Sequence, residues 1–145
     1  MFKQILLPVD GSPTSLLAVD KVLGLAQAFG STVTLIYVID PYAFSGVGAD
    51  FAYGQAQYLG AATAEGNQAL KVATELLSAA GITVNASIVE GHAVFRGILA
   101  TATAVDADLI VMGSHGRRGL EKLVLGSVTA QVLAHAHLPI LVVRD

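Results

Sequence analysis

Hydrophobic residues along this chain follow two alternating patterns. Short and nearly continuous apolar runs, such as residues 3–10 (KQILLPVD) and 107–113 (ADLIVMG), are typical of strands that are covered on both faces of a sheet. The segments between such runs carry apolar residues three or four positions apart, as in residues 11–30, and this spacing predicts amphipathic helices. Further strands are predicted at residues 31–40, 82–91 and 138–144, and further helices at 59–80, 93–105 and 120–136, with an irregular segment over residues 40–57 and a helix break at Gly126.

The first predicted helix has signals at both ends. Ser12 belongs to the residue types that cap helix starts, and Pro13 suits the first helical position because its fixed φ angle is already helical. Gly30 stands where a helix commonly ends in a left-handed residue. These signals predict a strand, a tight turn and a helix at the start of the chain.

The predicted elements alternate as βαβαβαβαβ, which indicates the α/β class. We expect a doubly wound, five-stranded parallel sheet with helices on both faces. Right-handed crossovers favour the strand order 3-2-1-4-5. In such sheets ligands bind beyond the carboxyl ends of the strands, where the strand order reverses. That point lies between the first and fourth strands, so residues 8–12 (PVDGS) and 112–116 (MGSHG) are expected to meet at a ligand site.

The composition narrows the range of partners. Of the 145 residues, 54% are hydrophobic and 13% are charged, and we expect one domain, residues 1–145, with an aliphatic core. A net charge of −3 argues against a nucleic-acid surface, so an anionic ligand must be held by local groups. The absence of cysteine excludes disulfides, thiolate zinc sites and cysteine nucleophiles. No apolar run reaches the roughly 20 residues of a membrane span, and a soluble cytoplasmic protein is expected.

Residues 111–127 (VMGSHGRRGLEKLVLGS) carry the most informative spacing in the chain. Two residues separate Gly113 from Gly116, and nine separate Gly116 from Gly126. Taken singly, each glycine is explained by a turn or a helix cap. Gly126 also precedes the last predicted helix, whose free amides and positive dipole end suit a phosphate group. The hydroxyl and cationic side chains that favour such an anion cradle are Ser127, Thr129, Arg117, Arg118 and Lys122.

Other motifs that would indicate a chemistry are missing. Gly126 lacks the following lysine of a Walker A loop, and the dinucleotide fingerprint GxGxxG is absent. No GxSxG nucleophile elbow occurs. His135 and His137 are two positions apart, a spacing that does not bring side chains together on a helix, and we expect no structural metal site. His115 is interpreted either as a contact to a bound phosphate or as an exposed loop residue.

The glycine spacing and two further segments together resemble a known family. Gly113-x2-Gly116-x9-Gly126-Ser127, followed by a helix and LPILVVR, is similar to the nucleotide-binding signature of the universal stress protein family. The opening ILLPVDGS and the expected strand order match that family as well, so the resemblance covers essentially the whole chain. It implies the ATP-binding subgroup, with ATP, ADP or AMP as the ligand and Mg²⁺ as its ion. The spacing itself supports a phosphate site, and the adenosine comes from the resemblance.

The resemblance implies roles for individual residues. Asp10 is implied near the ribose or the phosphates and as a carboxylate that helps to place Mg²⁺, although a turn hydrogen bond at the helix start explains an aspartate there equally well. The family often has a proline where this chain has Ala93, and we expect this departure to affect only a helix start. The residues implied to line the nucleotide are Pro8, Val9 and Asp10 on the nucleoside side, Val38 or Ile39 beside the adenine, Met112 and Gly113 beside the ribose, and Gly116, Arg117, Gly126, Ser127, Val128 and Thr129 around the phosphates.

The expected function is that of an ATP-binding, nucleotide-responsive dimeric regulator in the stress response. The alternative is a slow ATPase or phosphotransferase on the same fold. A flavodoxin-like carrier is disfavoured because the turn after the first strand has no aromatic residue, and an interaction module with an empty pocket remains open. Residues 138–143 form an apolar edge strand that would pair in a homodimer, as the resemblance implies. Residues 40–58 hold five of the nine aromatic residues and are interpreted as a lid, a contact for higher oligomers or a satellite hydrophobic cluster.

Overall fold

The computed structural model describes residues 1–41, 48–115 and 125–145, apart from the side chains of residues 48–51. Within these residues strands and helices alternate as the sequence pattern predicts. The strands are Gln4–Pro8 (β1), Thr32–Ile39 (β2), Val84–Glu90 (β3), Leu109–Gly113 (β4) and Ile140–Val143 (β5), and the helices are Pro13–Phe29 (α1), Gly48–Ala79 (α2), Val94–Ala104 (α3) and Ser127–His135 (α4).

The five strands form one parallel sheet in the order β3-β2-β1-β4-β5, which confirms the predicted fold class and strand order. The central strand β1 lies between β2 and β4, and its Ile5 is level with Val33 on one side and Leu109 on the other. The chain leaves β1 for a helix on one face and leaves β4 for a helix on the other. Because these two connections separate, a crevice opens beyond the carboxyl ends of β1 and β4.

Two apolar layers enclose the sheet, one on each face. Neighbouring residues of a strand point to opposite faces, so each buried strand contributes to both layers. The helices α1 and α2 cover one face, and α3 and α4 cover the other. Representative buried residues are Leu7, Leu35, Val19 and Leu77 in the first layer, and Leu6, Ile36, Ile98 and Val132 in the second.

Both ends of α1 agree with the sequence signals. The Ser12 hydroxyl accepts a hydrogen bond from the backbone amide of Ser15 at 3.1 Å, and Pro13 is the first helical residue. At the other end Gly30 adopts the left-handed conformation with φ 65°. The capping chemistry therefore sets where the chain turns from β1 into α1 at the edge of the crevice.

The second helix corrects the prediction for the segment after β2. Residues 48–57 were expected to be irregular, but they belong to α2, which begins at Gly48. Five of its ten residues are alanine or glutamine, which favour a helix, and it has no proline; the single interior glycine, Gly54, is tolerated. Two side chains of α2 also reach the residues that follow β2. Tyr58 Oη donates to the carbonyl of Asp40 and Gln55 Nε2 donates to the carbonyl of Pro41, each at 3.2 Å. The prediction of a loop over residues 40–58 is therefore wrong for residues 48–58, which are helical. Residues 42–47 lie outside the described residues.

Candidate functional site

A cleft of about 470 Å³ lies at the predicted position, beyond the carboxyl ends of β1 and β4. This volume is within the usual range for small-molecule sites, which is roughly 300–1,000 Å³. The lining residues come from both crossing connections and from both faces of the sheet. They are Pro8, Val9, Asp10, Ser12, Ser15, Tyr37, Val38, Val94, Ile98, Met112, Gly113, His115, Gly126, Ser127, Val128 and Thr129.

The structure brings together the described residues that the sequence singled out, with one exception. Val38 lines the cleft, but Ile39 is buried in the layer beneath α1 and α2. The two residues are neighbours on β2, so their side chains point to opposite faces. Of these two alternatives, Val38 is therefore the one that lines the cleft. Gly116 and Arg117, together with Arg118 and Lys122, lie outside the described residues.

The turn between β1 and α1 holds Asp10 in a fixed position. Asp10 Oδ1 accepts a hydrogen bond from the amide of Ser12 at 2.9 Å, and the amide of Asp10 donates to Ser15 Oγ at 3.2 Å. The turn hydrogen bond considered for this aspartate is therefore present. The same carboxylate lines the cleft, so the structural role and a ligand-binding role are compatible at this residue.

The start of α4 is attached directly to the end of β4. The amide of Gly126 donates to the carbonyl of Ser114 at 2.7 Å, and Thr129 Oγ1 donates to the carbonyl of Gly113 at 2.8 Å. A Cβ atom at position 126 would lie 3.0 Å from the Cα atom of His115, so glycine permits this close approach of two backbone segments. The hydroxyl of Thr129, expected as a phosphate donor, instead joins α4 to β4 and is buried.

The donors available at this end of the cleft are backbone amides at the start of α4. The first residues of a helix have no acceptor in a preceding turn, and the positive end of the helix dipole adds to their attraction for anions. Ser127, Val128 and Thr129 form the first turn of α4, and all three line the cleft. This end of the cleft is thus suited to a phosphate or a similar anion.

Much of the remaining lining of the cleft is apolar. Val38 of β2 and Met112 of β4 line it together with Val94 and Ile98 of α3. A flat, apolar group such as a nucleobase fits between such walls, whereas a phosphate does not. The cleft therefore offers an apolar compartment and an anion-binding compartment in one space.

Sequence reasoning missed the contribution of α3. Val94 and Ile98 are four positions apart, a spacing that brings side chains together on one helix face. Because α3 follows β3, it also begins at the carboxyl edge of the sheet, where the ligand site was expected. These two signals together predict an apolar wall. Ser15 and Tyr37 were missed as lining residues as well.

His115 is not the exposed loop residue that one interpretation of the sequence gave. Its side chain is only 13% exposed, and its Nε2 atom lies 3.5 Å from Asp145 Oδ1. The residue follows Ser114 directly and lines the cleft. His135, by contrast, lies in the last turn of α4 as expected, with Nδ1 2.8 Å from the carbonyl of Gln131.

The described residues contain neither a metal-binding cluster nor a helix suited to cross a membrane. Residues 1–41, 48–115 and 125–145 contain no group of three or more histidine, cysteine, aspartate or glutamate residues placed to hold a metal ion. In the same part of the chain, none of the helices combines the length and the apolar character that crossing a membrane requires.

Comparisons with known proteins agree on the type of protein. The sequence model of the universal stress protein family matches residues 1–144. Universal stress protein MJ0531 of Methanocaldococcus jannaschii is 36% identical over 144 residues, which cover 99% of this chain and 83% of that protein. The solved structure of MJ0577, from the same organism, superposes with a TM-score of 0.89 at 30% identity and covers 100% of this chain and 97% of the other. A solved universal stress protein in complex with cAMP gives a TM-score of 0.70 at 26% identity, with 99% and 97% coverage.

Proposed function

This chain belongs to the universal stress protein family, and on that premise we propose that it binds ATP and acts as a nucleotide-responsive dimeric regulator in the stress response. The nucleotide lies in the cleft beyond β1 and β4, with its base between the apolar walls and its phosphates at the start of α4. ADP and AMP fit the same arrangement with fewer phosphate contacts. The regulatory state of the dimer depends on whether the cleft holds a nucleotide, and any hydrolysis of bound ATP is slow.

One observation carries the proposal: a single cleft joins an apolar compartment to the open first turn of a helix. A nucleotide has the matching two parts, a flat base and an anionic phosphate chain. The chain has a net charge of −3, so general electrostatic attraction does not draw such an anion in. The amides of Ser127, Val128 and Thr129 supply attraction for an anion locally. The related structure in complex with cAMP supports an adenine nucleotide as the ligand.

Asp10 is suited to help place Mg²⁺ beside the phosphates. Mg²⁺ usually keeps several water molecules and needs only one or two carboxylates in addition to substrate phosphates. Among the described residues that line the cleft, one carries a carboxylate, Asp10, and its orientation is fixed by the amide of Ser12. The donor set thus fits an ion that arrives with the nucleotide.

A homodimer through residues 138–143 completes the proposal. β5 is at the edge of the sheet beside β4, and Leu141 in it is 39% exposed. An exposed apolar edge strand pairs readily with a second copy of itself. We place this dimer in the cytoplasm, with residues 1–145 as one nucleotide-binding domain.

Calorimetric titration with ATP, ADP and AMP in the presence of Mg²⁺ tests the nucleotide site. We expect ATP to bind to the wild-type protein, whereas Gly126→Val abolishes binding because the added side chain separates the start of α4 from His115. Gly24→Val is the matched control, since a Cβ atom at position 24 in α1 has nothing within 4 Å. Absence of heat with all three nucleotides overturns the proposal, and binding that survives in Gly126→Val shows that the phosphates lie elsewhere.

A further inference from the structure

Asp40, the residue that follows β2, lies where the start of α3 meets the cleft. We propose that Asp40 is a positioning residue for the base-binding end of the cleft, and that it acts by capping α3 from a neighbouring part of the chain. The proposal rests on the proposed nucleotide site, because it concerns the apolar wall of that same cleft. No motif singled this residue out, since its contact is between segments 53 positions apart.

The start of α3 has no cap of its own. Its N-cap residue is Ala93, whose methyl group accepts no hydrogen bond. The carboxylate of Asp40 instead bonds the N-cap residue from the end of β2: Asp40 Oδ2 accepts a hydrogen bond from the amide of Ala93 at 3.3 Å, as the glutamate of a capping box does. A carboxylate at this position also compensates the positive end of the helix dipole.

The backbone at Ala93 needs such a contact. Ala93 has φ 72° and ψ 127°, and a residue with a Cβ atom rarely adopts a positive φ angle. The surrounding contacts must therefore hold this conformation. A proline, with φ fixed near −65° and without an N–H group, satisfies neither the conformation nor the hydrogen bond.

Asp40 is itself held by elements on two sides. Its carbonyl accepts the hydrogen bond from Tyr58 of α2, and its Oδ1 atom lies 3.9 Å from Nδ1 of His92, the residue before Ala93. Its side chain is 24% exposed. Contacts to both the backbone carbonyl and the carboxylate of Asp40 therefore restrict its position. A carboxylate restricted in this way can in turn fix the position of a helix start.

The position of α3 bears directly on the apolar end of the cleft. Val94 and Ile98 of α3 line the cleft, and Val94 is the residue immediately after the capped amide. The helix also lies tightly on β2, because a Cβ atom at Gly97 would be 2.8 Å from Val38 Cγ1. A shift of the first turn of α3 therefore moves the wall that faces the base. The anion-binding end, which is formed by the start of α4, is attached to β4 instead.

Three variants test the proposal. Asp40→Ala removes the cap, Asp40→Asn keeps an oxygen that accepts the Ala93 amide, and Asp108→Ala is the matched control. Asp108 also accepts backbone amides, those of Lys3 and Gln4, but it does so at the amino edge of the sheet, away from the cleft. The ATP affinity is measured by calorimetry, and hydrogen exchange is measured for the first turn of α3 in the nucleotide-free protein.

We expect Asp40→Ala to weaken ATP binding about fivefold, as loss of one helix cap should partly displace the wall. Asp40→Asn restores the affinity to within about twofold of wild type. Asp108→Ala leaves the ATP affinity unchanged although it lowers the melting temperature. In the nucleotide-free protein, Asp40→Ala accelerates exchange of the amides of residues 93–96 relative to wild type and to Asp108→Ala.

The outcomes separate this proposal from the proposed function. Unchanged exchange at residues 93–96 in Asp40→Ala overturns the capping role, whether or not any nucleotide binds. If wild type binds ATP, an Asp40→Ala affinity equal to wild type, or an equal loss in Asp40→Ala and Asp40→Asn, overturns the positioning role. If wild type binds no nucleotide, the proposed function fails and the positioning of a nucleotide base fails with it, while the exchange result still decides the cap.

Discussion

Aspartates accept hydrogen bonds from backbone amides at both edges of the sheet. At the amino edge, Asp108 accepts hydrogen bonds from the amides of Lys3 and Gln4 at 2.8 and 3.0 Å. At the carboxyl edge, Asp10 and Asp40 each accept one such bond beside the cleft. The chemistry of the contacts is the same on both edges. Asp108 joins the segment before β4 to the start of β1. Asp10 instead fixes its own turn, and Asp40 fixes the start of a helix.

The difference shows how one fold separates stability from binding. At the amino edge, cross-strand contacts close the space between β1 and β4. At the carboxyl edge, the connections after β1 and β4 lead to opposite faces, and the aspartates stabilise the turns without closing the crevice. Substitutions of comparable chemistry at the two edges should therefore change different measured quantities.

The largest effect on stability is expected from Asp108→Ala. Loss of two hydrogen bonds from amides to a carboxylate should lower the free energy of unfolding by about 2–3 kcal/mol. For a domain of this size that corresponds to a fall in Tm of roughly 5–10 °C. Thermal unfolding followed by circular dichroism measures this change. An unchanged Tm would remove the contrast between the two edges.

Thr129→Val should affect both quantities, because Thr129 joins α4 to β4 at the carboxyl edge. Removing the donor to the Gly113 carbonyl should cost about 1–2 kcal/mol of unfolding free energy. Displacement of the first turn of α4 should also weaken ATP binding several-fold. Thr103→Val is the matched control, since the hydroxyl of Thr103 is exposed and bonds only within α3, to the carbonyl of Leu99. Denaturant unfolding and calorimetry give the two values, and equal results for both variants would contradict the prediction.

Asp10→Asn should separate the two roles of Asp10. The asparagine oxygen can still accept the amide of Ser12, so the free energy of unfolding should change by less than about 0.5 kcal/mol. If the carboxylate helps to place Mg²⁺, the affinity for ATP with Mg²⁺ should fall about tenfold. When EDTA removes Mg²⁺, the affinity of Asp10→Asn for ATP should not fall below that of wild type, because the variant has one negative charge fewer near the phosphates. A loss of equal size with and without Mg²⁺ would assign Asp10 to the nucleotide rather than to the ion.

The fold was predictable because its signals are local and repeated. The alternation of apolar runs and amphipathic segments predicts βαβ units, and right-handed crossovers then leave few strand orders. The position of the cleft follows from that order. Pro8, Val9, Asp10 and Met112 could therefore be assigned to the cleft from their places directly at or after the ends of β1 and β4.

The parts that sequence reasoning missed depend on contacts between distant segments. Asp40 and Ala93 are 53 positions apart, and neither belongs to a motif. The early start of α2 belongs to the same class, because its Gln55 and Tyr58 bond to Pro41 and Asp40, which follow β2, and these contacts exist only in the folded chain. The Thr129 hydroxyl was assigned to a phosphate because its nearer acceptor, the Gly113 carbonyl, is identified only once the chain has folded.

Among the variants at the carboxyl edge, the smallest expected effect on ATP affinity is that of Tyr58→Phe, which removes only the hydroxyl that bonds to the carbonyl of Asp40. A neutral hydrogen bond of this kind contributes about 0.5–1.5 kcal/mol to stability. Because the carbonyl and the capping carboxylate belong to the same residue, the ATP affinity should fall by about twofold, less than in Asp40→Ala. Denaturant unfolding measures the first effect and calorimetry the second.

Tyr53→Phe is the control for this variant, because Tyr53 is 68% exposed and its hydroxyl accepts a hydrogen bond from Gln57, one turn further along the same helix. We expect no measurable change in either quantity for Tyr53→Phe. Should Tyr58→Phe weaken ATP binding more than Asp40→Ala does, the connection would run from α2 to the cleft by a path other than Asp40. Should the two tyrosine variants behave alike, α2 would have no part in positioning the carboxyl edge, and the contrast between the edges would rest on the turns alone.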